Sequence, residues 1–215
     1  AEARRSLEEV VGGRRLIVRV DRVELSKNIL RGLWAYEELL ETRPHWRGQV
    51  VLLNFAYPSR EGLAEYLAYR AEIEHTAARL NARWGDDGWQ PVVLGVADDR
   101  ARSMAALRAY DVLLVNPVRD GMNLVAKEGP LVNRRDGVLV LSREAGAMDE
   151  LGGAAVVINP FDITETADAL DHALSMDGAE RTRRADALRR AVRAGTAAAW
   201  LDRQLEVAAS LSPGP

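Results

Sequence analysis

The chain has 215 residues, 47% of them hydrophobic, enough to bury the core of one large domain. Its 29 basic and 32 acidic residues leave a net charge of -3, so no global field draws it to a nucleic-acid backbone or an anionic membrane, and a bound phosphate must be gripped locally. The lack of cysteine removes disulfides, thiolate metal sites and a cysteine nucleophile and fits a reducing, cytoplasmic setting, while the apolar runs are strand-sized and the N-terminal AEARRSLEEV lacks a signal-peptide core.

Residues 2–11 read as a helix approaching a first strand, LIVRV at 16–20. The segment Val20-Asp21-Arg22-Val23-Glu24-Leu25-Ser26-Lys27-Asn28 then leads into a helix marked by Ile29, Leu30, Leu33, Trp34, Tyr36, Leu39 and Leu40, with Ser26 as its expected N-cap. Arg22 and Lys27 beside that helix start could hold a diphosphate or could be solvated surface cations. Lys27 and Lys127 are the only lysines among the 29 basic residues. A retained lysine suits a site that needs a compact point charge, although chance accounts for two survivors equally well.

The second strand is VVLLNF at 50–55, followed by Ala56-Tyr57-Pro58-Ser59-Arg60 and a helix over about 59–83, with Ser59 as a cap and Leu63, Tyr66, Leu67, Ile73 and Leu80 on one face. Arg60 could meet a second anion or be a surface arginine, a cation being mildly unfavourable at a helix start. PVVLGV at 91–96 is the third strand, and the Asp98-Asp99 pair after it reads as a helix cap.

After the fourth strand, DVLLV at 111–115, comes Asn116-Pro117-Val118-Arg119-Asp120-Gly121-Met122-Asn123-Leu124-Val125-Ala126-Lys127-Glu128. Here a strand ends, Gly121 permits unusual backbone angles and a helix begins, so the N–H groups from Gly121 to Val125 suit phosphate oxygens and Asp120 and Glu128 suit hydroxyls. An ordinary Asp-Gly turn at a helix start explains the same residues. The strands GVLVL at 137–141 and AAVVI at 154–158 follow. Helices occupy the chain from about 161 to 209, opened by a capping box of Asp162 and Glu165 and closed by a fraying Ser-Pro-Gly-Pro. Two-face apolar strands alternating with helices predict an α/β fold with a doubly wound parallel sheet, whose ligands sit at the strands' carboxyl ends.

Other residues carry less. His45, His75 and His172 lack metal-ligand spacing, and Asp86-Asp87 lies in a glycine-flanked loop, so no metal is expected. Ser103 and Ser142 have no nucleophile-elbow context, and no GxGxxG follows the first strand to hold a nicotinamide cofactor. The tryptophans at 34, 46, 84, 89 and 200 are scattered, as packing residues are.

VDRVELSKN, the Pro-Ser-Arg turn, RDGMNLVAKE, LSREAGA and VINPFD occur in the order found in the trehalose-6-phosphate synthase family. Over residues 14–209 the chain resembles the C-terminal domain of those retaining glycosyltransferases. The resemblance implies that residues 1–215 form a Rossmann-like nucleotide-sugar-binding domain with C-terminal helices, one half of a GT-B enzyme whose N-terminal acceptor domain lies elsewhere. It implies that Arg22 and Lys27 bind the donor diphosphate and that Asp120 contacts the transferred sugar, these three being the catalytic groups. The amides of Gly121, Met122, Asn123, Leu124 and Val125 would hold sugar and phosphate, Glu128 the ribose, and Arg60 the acceptor's phosphate.

The implied reaction moves glucose from a nucleoside-diphosphate glucose to glucose-6-phosphate with retention, without cofactor, metal or carboxylate nucleophile. The match departs at Ala97-Asp98-Asp99, where the family often places an aromatic residue by the nucleobase. That leaves uridine, guanosine and adenosine donors open, with Phe55 as another candidate to flank the base. Two alternatives remain at this level. One is a relative that couples an activated cyclitol to an aminocyclitol phosphate; the other is a nucleotide-binding module with no turnover on its own. The expected partners are the donor, a sugar phosphate and the missing domain, with no nucleic acid or membrane and with self-association left open.

Overall fold

Strands that are apolar on both faces are stable only with helices packed on each side. All six expected runs form strands in the computed structural model, which describes residues 2–211, and helices cover both faces except in the last run, where Val157 stays 36% exposed; the Ser-Pro-Gly-Pro expected to fray lies outside the described residues. The strands are β1 (Arg15–Arg22), β2 (Val50–Tyr57), β3 (Val92–Gly95), β4 (Val112–Val115), β5 (Val138–Ser142) and β6 (Val156–Ile158). They form one parallel sheet in the order β3-β2-β1-β4-β5-β6.

The helices are α1 (Glu2–Val11), α2 (Ile29–Thr42), α3 (Ala64–Trp84), α4 (Arg100–Ala109), α5 (Leu124–Val132), α6 (Met148–Leu151), α7 (Ile163–Ser175), α8 (Gly178–Ala194) and α9 (Ala197–Leu211). Because strand side chains alternate, Ile17, Leu52, Val112 and Val140 pack against α2, α3 and α7. Leu16, Val18, Leu113 and Leu139 pack on the other face against α1, α4, α5, α6 and α8. The sheet is therefore doubly wound. The order runs outward to β2 and β3 on one side and to β5 and β6 on the other, so the topological switch lies between β1 and β4, and the crevice at their carboxyl ends is the expected ligand position.

Helix starts depart from the expected ones. Ser26 sits in a 3₁₀ turn, Leu25–Lys27, where its carbonyl accepts from Val118 N; α2 starts after Asn28, so Ser26 does not hold the cap position. The residue before α2 is Asn28, in the left-handed region at φ 61°, with its amide committed to other loops. Ser59 does not cap α3, which begins at Ala64; its hydroxyl instead donates to Glu24 Oε1 at 3.1 Å. Asp99 does cap α4, accepting from Arg102 N at 2.9 Å. Asp162 caps α7 through Glu165 N, but the Glu165 carboxylate returns to Asn159 N rather than completing the reciprocal box. Four tryptophans pack against the core as expected, whereas Trp200 on α9 is 58% exposed. Among the described residues no helix is long and apolar enough to cross a membrane.

Candidate functional site

The switch point is tied together by polar groups that the strand register brings level. β1 and β4 pair at Ile17↔Val112 and Val18↔Leu113, so the two chains leave the sheet side by side. Asn28 Nδ2 donates to the carbonyl of Asn116 at 3.0 Å and to that of Pro160 at 2.8 Å, joining the loops after β1, β4 and β6. Beneath this junction lies Arg19, a strand residue with 1% of its side chain exposed. Its Nε is 2.9 Å from Asp21 Oδ2, and its remaining nitrogens reach the Asn116 side chain and the carbonyls of Lys27 and Asn28. A Cβ on Gly32 would fall 2.4 Å from Arg19 Nη1, so any side chain there would push the guanidinium away from its partners.

Burial pushes the Asp21 carboxyl up, against the opposing pull of Arg19 and Lys27, and the nearby Asp120 raises it further. Lys27 extends from the 3₁₀ turn to Asp120 Oδ2 at 2.5 Å, both side chains being about seven-eighths buried. Asp120 also accepts from Asn123 Nδ2 at 3.1 Å and, at a longer 3.4 Å, from Met122 N. Burial raises the Asp120 carboxyl, but the Lys27 bond and charge, with these N–H groups, outweigh it and hold it below its ordinary value.

Stability inherits the sign of that shift. A carboxyl depressed in the folded state stabilises above its unfolded pKa near 3.8, and the increment vanishes as pH falls through the lower folded value. Urea titrations should therefore find Asp120→Asn less stable than the parent at pH 7, with the gap closing on acidification below about 3.8. A gap that persists unchanged in acid would contradict the ion pair as its origin.

The turn after Asp120 differs from the expected one. Gly121 does not have positive φ, and a Cβ there would meet nothing within 4 Å. The left-handed residue is Asn123, at φ 66°, whose Oδ1 caps α5 by accepting from Ala126 N at 3.0 Å. The close approach belongs to Gly146 in the LSREAGA loop, where a Cβ would sit 2.1 Å from the Gly121 carbonyl oxygen. Gly146 N donates to Asp120 O at 2.9 Å and Ala147 N to Met122 O at 2.9 Å, fixing the turn from below. Met122 N is turned onto Asp120 instead of outward. The N–H groups of Leu124 and Val125 open α5 without intrahelical partners, as the first turn of any helix does.

These pieces enclose a cleft of about 420 Å³ whose lining includes Arg22, Lys27, Asp120, Tyr57, Leu124 and Val125. Arg22, 61% exposed, lies 3.1 Å from Glu24 Oε1, which also accepts from Ser59. Glu128 lies on α5 one turn beyond Leu124, exposed and outside the lining, and Arg60 also lies outside it, at φ 49° with its guanidinium 5.5 Å over the Tyr66 ring. Phe55 is 1% exposed in the core and therefore closed to a nucleobase. A roomier cavity of about 480 Å³ lies at the opposite end of the sheet, between α1 and α4, with walls of Leu7, Val11, Leu16 and Ala105 and a rim of Arg108 and Arg134. Size alone favours it. The switch-point position and the convergent charges favour the smaller cleft.

Arg19, Asp21, Asn28, Asn116 and Gly146 were not singled out by the sequence reading. The signal for the first two was present: a charge inside a run that is apolar on both faces must be paired within the protein.

The sequence profile of glycosyltransferase family 20 matches residues 1–210. The bifunctional trehalose-6-phosphate synthase/phosphatase of Thermoproteus tenax is 38% identical over 197 residues, covering 90% of this chain and 27% of that protein. The trehalose-6-phosphate synthase of Klebsiella pneumoniae is 41% identical over 200 residues, covering 92% and 42%. A solved structure described as trehalose-6-phosphate from E. coli bound with UDP-2-fluoro glucose superimposes with a TM-score of 0.90 at 34% identity, over all of this chain and 48% of that one. A UDP-forming α,α-trehalose-phosphate synthase from Burkholderia xenovorans in complex with glucose-6-phosphate gives 0.90 at 35%, over 96% and 46%. The chain thus spans less than half the length of each of these four proteins.

Proposed function

Since the chain belongs to glycosyltransferase family 20, we propose that it is the donor-binding half of a retaining GT-B enzyme that transfers glucose from a nucleoside-diphosphate glucose to glucose-6-phosphate, giving trehalose-6-phosphate. The observation that carries this reading is the Lys27–Asp120 pair at the mouth of the switch-point cleft, beside Arg22 and the opening amides of α5. The UDP-2-fluoro glucose and glucose-6-phosphate held by the two solved relatives support the same pair of substrates.

In this mechanism the diphosphate lies against Lys27 and Arg22, and the Leu124 and Val125 amides supply neutral donors on its other side. Asp120 keeps the Lys27 ammonium aimed into the cleft and accepts a hydroxyl of the transferred glucose with its remaining lone pairs. As the sugar–phosphate bond breaks, negative charge grows on the leaving diphosphate, and a cation already in place stabilises it without reorganisation. The acceptor hydroxyl enters on the face the diphosphate leaves and gives that diphosphate its proton, which preserves the anomeric configuration with no carboxylate nucleophile. The cations take the part a metal plays elsewhere, and no cofactor is required. Glu128 binds the ribose from one turn along α5. A cytoplasmic setting suits this cysteine-free chain.

The acceptor site is completed by a domain outside these 215 residues, so this chain alone binds donor without turnover. Arg60, on the loop after β2, is its contribution to the acceptor's phosphate. In the protein carrying both halves, Arg60→Ala is expected to raise KM for glucose-6-phosphate by about tenfold or more, the scale of one lost charge-assisted contact, while the nucleotide affinity stays unchanged. A parallel loss of nucleotide affinity would move Arg60 into the donor site.

A further inference from the structure

The cavity of about 480 Å³ at the amino end of the sheet arises from a mismatch between two helices. α1 presents Leu7 and Val11, one turn apart, and α4 faces them with Ala105 and Ala109, also one turn apart. Short side chains opposite long ones leave the space between the helices unfilled, with Leu16 of β1 in its lining. The volume falls in the range of about 300–1,000 Å³ that small-molecule pockets occupy.

The rim of this apolar space is positive. Arg14, Arg108, Arg134 and Arg135 line it, against Glu8 as the only acid among the described lining residues. Arg14 donates to the carbonyls of Gly48 at 3.0 Å and Gly88 at 2.6 Å, neutral acceptors that hold the guanidinium without cancelling its charge. Arg135 lies 3.6 Å from Asp111 Oδ1, but that carboxylate also holds Arg15 at 3.0 Å and Arg181 at 3.3 Å, so one negative charge serves three guanidiniums. Arg108 and Arg134 are joined through their backbones, Arg134 N donating to Arg108 O at 3.0 Å. Both are exposed, and among the described residues neither side chain has a hydrogen bond or an ion pair. A chain of net charge -3 thus gathers uncompensated cations at the mouth of one apolar cavity, where an entering anion relieves their mutual repulsion.

We propose that this cavity is a second binding site, for a phosphate monoester with an apolar body. The body fills the space between α1 and α4, and the dianionic head lies between Arg108 and Arg134. A dianion matches two uncompensated guanidiniums, whose planar forks suit phosphate oxygens. The apolar walls disfavour a sugar phosphate, whose hydroxyls would be left unpaired against them. The proposal is independent of the donor reading, since the cavity shares no lining residue with the switch-point cleft.

The test is calorimetric titration of the chain with 1-naphthyl phosphate, with 1-naphthol, which lacks the charge, and with inorganic phosphate, which lacks the body. The parent is expected to bind one 1-naphthyl phosphate at least tenfold more tightly than either fragment. In Arg108→Ala/Arg134→Ala that affinity should fall by tenfold or more while 1-naphthol binding is unchanged. Ala105→Leu, which fills the space without touching a charge, should weaken 1-naphthyl phosphate and 1-naphthol alike. Lys27→Ala should leave 1-naphthyl phosphate binding as in the parent, because Lys27 belongs to the other cleft. No saturable binding by the parent, or equal affinity for 1-naphthyl phosphate and 1-naphthol, would overturn the proposal. So would parent-like affinity in the double arginine variant or in Ala105→Leu, or a loss in Lys27→Ala, which would place the probe in the switch-point cleft.

Discussion

Lys27→Ala is expected to weaken nucleoside-diphosphate binding by roughly a hundredfold, about 2.7 kcal/mol, while leaving the affinity for the nucleoside alone almost unchanged. Two effects of one sign combine. The charge-assisted bond to phosphate disappears, and Asp120, held below its ordinary pKa mainly by Lys27, is left as an unpaired carboxylate facing the incoming diphosphate. Arg22→Ala should cost less, about tenfold, because Arg22 is 61% exposed and works through water-screened charge. Adding Asp120→Asn to Lys27→Ala should recover part of the lost affinity by removing the repulsion, a coupling that a double-mutant cycle reads directly. Loss of equal size for nucleoside and nucleoside diphosphate would contradict the phosphate assignment.

Arg19→Met is expected to have the largest effect on stability. Its guanidinium supplies the buried positive charge beside Asp21, whose carboxyl is already pushed up by burial, and it also satisfies the Asn116 side chain and two loop carbonyls. Removing one partner of a buried pair costs about 3–5 kcal/mol, because the other charge stays behind. For a chain of this length that corresponds to a melting temperature lower by roughly 10 °C. Arg19→Met combined with Asp21→Asn should be less destabilised than the single variant. Guanidinium chloride unfolding reads both, and a single-variant loss below about 1 kcal/mol would mean that water or a backbone shift compensates Asp21.

The six strands were legible because each is apolar on both faces, a pattern that exposure cannot tolerate in a parallel sheet. Helix starts were harder to read. Ser26 and Ser59 are good capping residue types, but the turn holding Ser26 is tied by its backbone carbonyl to Val118 N and the Ser59 hydroxyl donates to Glu24, partners 92 and 35 residues away that no local pattern reveals. Lys27 and Asp120 stood out in the sequence because each follows a strand whose carboxyl end belongs to the ligand crevice. That they meet depends on the β1–β4 register across 93 residues. Gly121 drew attention through the Asp-Gly turn, whereas the glycine the turn requires is Gly146, which approaches from a different loop. Local chemistry therefore pointed to the candidate site, and tertiary contacts decided which atoms meet there.

The most direct measurement is calorimetric titration of the 215-residue chain with UDP, GDP, ADP and NAD. Saturable binding of one nucleoside diphosphate, with NAD binding no better, is the predicted result and identifies the donor base. Failure to bind any nucleoside diphosphate, or preference for NAD, would contradict the assignment of the switch-point cleft as a nucleotide-sugar site.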